Sequence, residues 1–355
     1  MRSKTPVTTE NIRRMPKVLL HDHLDGGLRP GTVIELADAI GYKALPSGDS
    51  AALRRWFTDA ADAGSLVSYL ETFAHTCGVL QSEDALVRVA AEAVEDLAED
   101  GIVHAEVRYA PELFREGGLS LEGVIEAVSA GFADGERRAA RQGRRIRVRS
   151  VLCAMRQHES AREIAALVVR YRDAGVAGFD IAGPEAGYPP SRFLESFQFL
   201  GANNAHFTIH AGEAAGVDSI AEAIHVCGAK RIGHGVRLAD DIAVTGDRVH
   251  LGRLAEHVRA AGIPLELCPS SNVQTGAAPS IAAHPFGLLA REGFRVTVNT
   301  DNRLMSGCTL TSEFAALSEA FGYTLDDLRR FTLNAAESAF LDPDERRELL
   351  GLLSE

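Results

Sequence analysis

The sequence predicts an α/β fold, a (β/α)8 barrel of the TIM type, on three observations. Eight short β-like runs recur along the 355 residues. Segments with apolar residues at helical spacing lie between them. Side chains that bind metals stand at the ends of several runs, and a parallel barrel keeps its active site at the carboxyl ends of its strands.

The runs are Lys17–His23, Ile102–Tyr109, Arg147–Met155, 178–182, 206–210, 231–234, 264–268 and 295–300. Most are rich in Val, Ile, Leu or Phe, which suits strands buried on both faces of a parallel sheet. Between them, segment 82–100 carries Leu86, Val89, Ala90, Ala93, Val94 and Leu97 near helical spacing, and Gly101 stops it. Segments 120–142 and 160–173 read likewise, with Gly143 and Gly175 behind them. Segments 218–226 and Arg253–Ala261 are shorter helices. Strands alternating with helices in this way imply a parallel barrel.

The stretch 24–101 is longer than one crossover helix needs. Within it 31–40 and 66–73 read as helices, so a helical insertion after the first strand is expected to form a lid over the barrel mouth. Segments 324–338 and 342–353 read as extra C-terminal helices. Asp342-Pro343-Asp344-Glu345 supplies an N-cap, a proline at the first helical position and acids in the first turn. No linker, repeat or low-complexity tract interrupts the chain, so residues 1–355 are read as one barrel domain.

Composition narrows the function. The chain is 46% hydrophobic and 24% charged, ordinary globular proportions. Its net charge is −12, from 37 Lys and Arg against 49 Asp and Glu. An acidic chain is a poor partner for a nucleic-acid backbone or an anionic membrane, whereas a nucleoside without phosphate meets no such objection. The five cysteines, at 77, 153, 227, 268 and 308, are widely spaced with no C-x-x-C pair. That fits a reducing compartment, and a cytoplasmic location is expected. The segment 1–17 is polar and basic with no apolar core behind it, so no signal peptide is read, and no apolar run reaches spanning length.

Ligand-type residues stand at the strand ends. His21 and His23 point to one side of the first strand, because side chains i and i+2 share a face. The fifth run ends in His210-Ala211-Gly212-Glu213, the sixth in Gly233-His234-Gly235, and the eighth in Asn299-Thr300-Asp301-Asn302. Imidazole is a preferred zinc ligand, and His21, His23, His210 and Asp301 make a plausible shell for one Zn2+. A His-x-His pair is weak alone; its coincidence with three other strand ends gives it weight. His206, His225 and His257 read as packing or surface histidines.

These runs, with Glu106-Val107-Arg108-Tyr109-Ala110-Pro111, Leu152-Cys153-Ala154-Met155-Arg156, Asp180-Ile181-Ala182-Gly183, Cys268-Pro269-Ser270-Ser271-Asn272 and Ala283-His284-Pro285, resemble the adenosine deaminase family of the amidohydrolase superfamily. The resemblance spans nearly the whole chain in the family's order. It implies that His21, His23, His210 and Asp301 hold zinc. It implies that His234 orients the attacking water and helps remove its proton, with Asp301 on the same water. It makes Glu213 the acid that protonates purine N1, so that C6 accepts the oxygen and ammonia leaves. Gly183 would offer its N–H to purine N3, and Asp25 would accept from a ribose hydroxyl. His23 and Met155 would border the ligand, and Leu66, Tyr69, Leu70 and Phe73, at i, i+3, i+4 and i+7, would cover the ribose. Many members carry a second Asp after the metal-binding one; Asn302 stands here and would donate its amide to purine N7. The loop Arg303-Leu304-Met305-Ser306 also departs from the proline-containing sequence of other members.

The leading expectation is therefore zinc-dependent deamination of adenosine and 2′-deoxyadenosine in purine salvage. The alternatives are deamination of adenine, methylthioadenosine or 6-aminodeoxyfutalosine, a related metal hydrolase acting on an ester or amide ring, and a non-catalytic nucleoside-binding barrel.

Overall fold

The computed structural model describes residues 7–354. Residues 1–6, part of the segment searched for a signal peptide, lie outside the described residues. Eight parallel strands form the barrel: β1 (Lys17–His23), β2 (Ile102–Tyr109), β3 (Arg147–Met155), β4 (Val176–Ala182), β5 in two pieces (His206–Phe207 and Ile209–Ala211), β6 (Ile232–His234), β7 (Leu265–Leu267) and β8 (Val296–Val298). They pair in chain order: β1 through the first piece of β5 as one sheet, the second piece of β5 through β8 as another. The circle closes through a parallel bridge between Asp22 and Asp301. There His23 N–H donates to Asp301 O at 2.7 Å and Asp301 N–H to His21 O at 3.0 Å. The closure thus brings Asp301, three residues past β8, onto the two histidines of β1.

The expected strands 206–210, 231–234, 264–268 and 295–300 are shorter in regular pairing than their apolar runs. Thr208 interrupts β5, its hydroxyl donating to Glu266 Oε1 at 2.9 Å. The crossover helices Glu83–Glu99 and Leu121–Arg141 begin at Ser82 and Ser120, whose hydroxyls accept from Ala85 and Gly123 N–H. Helix Ala161–Arg170 is shorter than expected and ends in a 3-10 turn at Arg172–Ala174.

The insertion after β1 holds four helices, Pro30–Ile40, Ser50–Ala61, Leu66–Glu71 and Phe73–Val79. The second was not expected. It buries a narrow stripe of Leu53, Phe57 and Ala61, with Trp56 partly buried beside it. The helix expected over 66–73 breaks at Thr72, whose hydroxyl donates to Tyr69 O at 2.7 Å. Past β8, helix Leu325–Ser338 starts with a capping box between Thr324 and Asp327. Helix Pro343–Leu352 has Asp342 at its N-cap, but that side chain makes no capping hydrogen bond. An antiparallel hairpin, Ile242–Thr245 with Arg248–Leu251, follows β6 and was not anticipated, because its strands bury little apolar surface. Among the described residues no helix is long and apolar enough to cross a membrane. All five cysteines are free thiols.

The barrel centre is ionic. Arg108 donates to Asp180 at 2.5 Å and to Glu266 at 2.8 Å. Arg231 donates to Glu106 at 2.5 Å and also to Glu266. All five side chains are at most 1% exposed. Charges so buried persist only when paired and hydrogen-bonded. This network lies directly beneath the strand ends that carry the site.

Candidate active site

The structure gathers the expected metal set. One ligand atom from each of His21, His23, His210 and Asp301 lies within 4.8 Å of the other three. The free ring nitrogens are fixed from behind. His21 Nδ1 is 2.9 Å from Glu266 Oε2, which turns Nε2 toward Asp301 Oδ1 at 3.2 Å. His210 Nδ1 is 2.7 Å from Asp180 Oδ2. Asp301 Oδ2 accepts from Ser271 Oγ at 2.6 Å, leaving Oδ1 to face His21 and His23. Carboxylates behind ligand histidines are the usual means of setting tautomer and ring orientation. Burial works against the charge on Asp180 and Glu266. Even so, His210 and Arg108 hold Asp180 below the ordinary carboxylate range, and Arg231 and Arg108 do the same for Glu266.

The donor set fits a cation. His21 Nε2 is buried without a hydrogen-bond partner and faces a carboxylate oxygen. Three imidazoles and one carboxylate match a zinc-type shell with room for a further ligand. A second grouping, His21, His234, Cys268 and Asp301, is also compact. It fits less well: burial pushes the Cys268 thiol well above its ordinary range, and its S–H donates to Glu266 O at 3.4 Å. Asp301 and His234 adopt left-handed backbone, with φ of 56° and 60°. For residues other than glycine this costs free energy and is common where function constrains geometry.

Above the cluster lies a cavity of about 350 Å³. It is lined by His23, Asp25, Leu66, Tyr69, Leu70, Phe73, Met155, Gly183, His210, Glu213, His234, Asp301 and Asn302. Every residue expected to touch a substrate therefore borders one space, with His21 fully buried behind it. A larger cavity of about 580 Å³ lies at the amino-terminal ends of β3 to β5, lined by Arg147, Arg149, His206 and Glu345, and holds none of these residues.

Glu213 is 6% exposed, accepts from Thr275 Oγ1 at 3.0 Å, and has Oε2 3.5 Å from His234 Nε2. Burial, then the Asp301 and Glu185 carboxylates, push its carboxyl well above the ordinary range. Burial likewise raises Asp25 to about 6. Among the described residues Asp25 Oδ1 has no hydrogen-bond partner, and Oδ2 meets the Cys77 thiol at 3.7 Å. A buried carboxylate oxygen in a cavity wall is an acceptor awaiting a donor. Gly183 has φ 97°, and a Cβ there would lie 2.7 Å from Gln157 Oε1 and 3.1 Å from Met155 Cε. The glycine thus serves both backbone conformation and approach to the cavity. At Gly26 a Cβ would lie 2.0 Å from Asn302 Oδ1, so the Asn302 side chain occupies that place.

Several residues of the site were not anticipated. Gln157 and Cys77 line the cavity. Glu185 anchors the loop that carries Glu213, accepting from the N–H groups of Gly212, Glu213, Ala214 and Ala215 and from Ser219 Oγ. Gln157 stands two residues past β3 and Glu185 three past β4, so extending those strand-end runs would have found them. Cys77 lies within the insertion and had no such signal.

An eight-stranded parallel barrel with three histidines and an aspartate gathered at its strand ends is the framework of a metal-dependent hydrolase. A model of the family described as adenosine deaminase matches residues 16–355. The chain belongs to the adenosine deaminase family. It is 63% identical over 349 residues to "Adenosine deaminase 1" of Streptomyces coelicolor, covering 98% of this chain and 88% of that one. Among solved structures it is similar to an adenine deaminase from Arthrobacter aurescens, with TM-score 0.82 and 25% identity over 96% of this chain and 98% of that one. It is similar to Arabidopsis ADAL complexed with GMP to the same TM-score, 0.82, with 26% identity over 97% and 98% of the two chains.

Proposed function

We propose that this chain, acting as one barrel domain, deaminates adenosine and 2′-deoxyadenosine by hydrolysis, giving inosine or 2′-deoxyinosine and ammonia in purine salvage. We propose one zinc ion per chain, held by His21, His23, His210 and Asp301. The observation that carries the reading is the position of Glu213: a carboxyl kept protonated by burial and by neighbouring carboxylates, in one cavity with a metal-type cluster. A relative from Mycolicibacterium vanbaalenii, 61% identical over 347 residues, is likewise an adenosine deaminase by name.

The metal, when bound, would acidify a water so that it attacks near neutral pH. Everything else falls to the chain. Protonated Glu213 gives its proton to purine N1, which draws electrons from C6. Water oxygen bonds to C6 and the C6–nitrogen bond breaks; N1 keeps the proton it received from Glu213, one of the water's protons goes to the departing ammonia, and the other restores Glu213. Gly183 N–H holds N3, Asn302 holds N7, and Asp25 accepts from a ribose hydroxyl. His23, Leu66, Tyr69, Leu70, Phe73 and Met155 enclose the nucleoside and exclude bulk water.

Among the described residues no Lys or Arg lines the cavity, whereas Asp25, Glu71, Glu213 and Asp301 do. A phosphate would meet carboxylates with no cation to offset them, which favours a nucleoside over a nucleotide. The partner is thus a small purine nucleoside, not a nucleic acid.

An ultraviolet assay with adenosine, 2′-deoxyadenosine, adenine, methylthioadenosine and aminodeoxyfutalosine tests the reading. The two named nucleosides are expected to have the highest kcat/KM, and preference for another compound would replace them. Chelation should abolish turnover and one equivalent of zinc restore it. Glu213→Gln should keep the metal and lose about three orders of magnitude in kcat; near-normal turnover would remove Glu213 as the acid.

A further inference from the structure

His234 stands on a chain of buried hydrogen bonds whose direction is fixed by two backbone N–H groups. Phe286 N–H donates to His284 Nδ1 at 2.9 Å. His284 Nδ1 is therefore an acceptor, and in the neutral ring the proton sits on Nε2. That Nε2 lies 3.2 Å from Asn272 Oδ1. Cys268 N–H also donates to Asn272 Oδ1, at 3.1 Å. With Oδ1 receiving both donors, the Asn272 amide nitrogen is the atom turned toward His234 Nδ1, at 3.0 Å.

Turning the Asn272 amide over would set its N–H2 against two N–H donors. All three side chains are buried, at 3% exposure for His284, 0% for Asn272 and 1% for His234. Nothing from solvent would relieve that mismatch, and an unsatisfied buried donor costs about 1–3 kcal/mol. An amide nitrogen can only donate, so His234 Nδ1 must accept and carry no proton.

We propose that Asn272 and His284 are positioning residues that hold His234 as the Nε2–H tautomer, so that it presents an N–H to the reacting oxygen. The proposal rests on the deaminase reading of this site. A neutral His234 in this tautomer has no lone pair on Nε2 with which to take a proton from water. It donates to the attacking oxygen and steadies the charge that develops there. The proton given up by water passes to the Glu213 carboxylate, left when Glu213 has protonated N1; its Oε2 is 3.5 Å from His234 Nε2. Glu213 is thereby reprotonated and gives that proton to the departing ammonia, and the remaining hydroxyl proton of the adduct returns to Glu213 as the C6 carbonyl forms. The role of His234 differs here from the one the family resemblance implies, in which it helps remove the proton.

The test is long-range 15N–1H NMR on the zinc-loaded enzyme labelled with 15N-histidine, the His234 signal being assigned by its loss in His234→Gln. The wild type is expected to show Nε2–H; Nδ1–H in the wild type overturns the proposal. Asn272→Asp keeps the side chain's shape and still accepts from Cys268 and His284, but offers His234 an acceptor. It should move the His234 proton to Nδ1 and lower kcat about a hundredfold with KM nearly unchanged. An Asn272→Asp enzyme with the tautomer moved and kcat intact also overturns the proposal. His284→Gln should fall between the two. The wild-type spectrum decides the tautomer even if these variants fold poorly. Failure of the deaminase reading would appear separately, as no turnover of any 6-aminopurine by the wild type.

Discussion

Glu185 shows how much of the site depends on a side chain that is not part of the cavity wall. Its Oε1 accepts from Gly212 N–H at 2.7 Å and Ser219 Oγ at 2.6 Å. Its Oε2 accepts from Glu213, Ala214 and Ala215 at 3.1, 2.7 and 2.8 Å. One carboxylate thus organises the turn that presents Glu213, and its charge helps keep Glu213 protonated. Glu185→Gln retains the size but has a single acceptor oxygen. Its amide would face N–H groups, so the loop should shift. A shift near 1 Å in a reacting group costs about a hundredfold, so kcat should fall by about that much with zinc retained. The charge effect has a definite sign. Removing a neighbouring anion lowers the Glu213 pKa, and activity that needs protonated Glu213 is lost as pH rises through that pKa. The alkaline fall in kcat should therefore begin at lower pH in Glu185→Gln. A pH profile parallel to wild type would show that Glu185 acts by geometry alone.

Among the elements, the insertion after β1 supplies Leu66, Tyr69, Leu70 and Phe73 to the cavity wall. Leu66, Leu70 and Phe73 are only half-buried, although they face a cavity beside the barrel core. Their burial would be completed by a ligand. The expected apolar face over 66–73 was readable as i, i+3, i+4 and i+7 spacing, but the break at Thr72 was not. It depends on a hydroxyl returning to its own turn. Helix Ser50–Ala61 escaped notice for a related reason: its buried stripe is one residue wide, and the periodic signal needs a wider face. Leu70→Ala should raise KM for adenosine about tenfold, the cost of a few lost methylene contacts. Free adenine has no ribose for this face to cover, so its kinetics should change little. An equal loss on both compounds would place Leu70 over the base instead. Comparing kcat/KM for the two substrates decides it.

For the whole molecule, the barrel was legible because continuous apolar strands, helical spacing and terminal glycines agree with one another. The cluster of three histidines and one aspartate was legible because its members stand at strand ends, where a barrel exposes chemistry. The ionic centre was not, since Arg108 and Glu266 are 158 positions apart and nothing local links them. His104 on β2 belongs to the same hidden interior. It is 2% exposed, its Nε2 has no hydrogen-bond partner, and burial, then Arg149, lowers its pKa from 6.5 to about 3. A folded-state pKa below the unfolded one means that the unfolded chain binds the extra proton between about pH 6.5 and 3. Stability from His104 is therefore complete above pH 6.5 and lost on acidification through that window, by about 2 kcal/mol at pH 5. His104→Leu fills the site without a titrating group. Its urea midpoint should stay near wild type at neutral pH and fall less than wild type at pH 5. If both proteins lose stability in parallel on acidification, the acid lability resides elsewhere, and the other buried histidine with a pKa lowered to about 4, His284, becomes the next to replace.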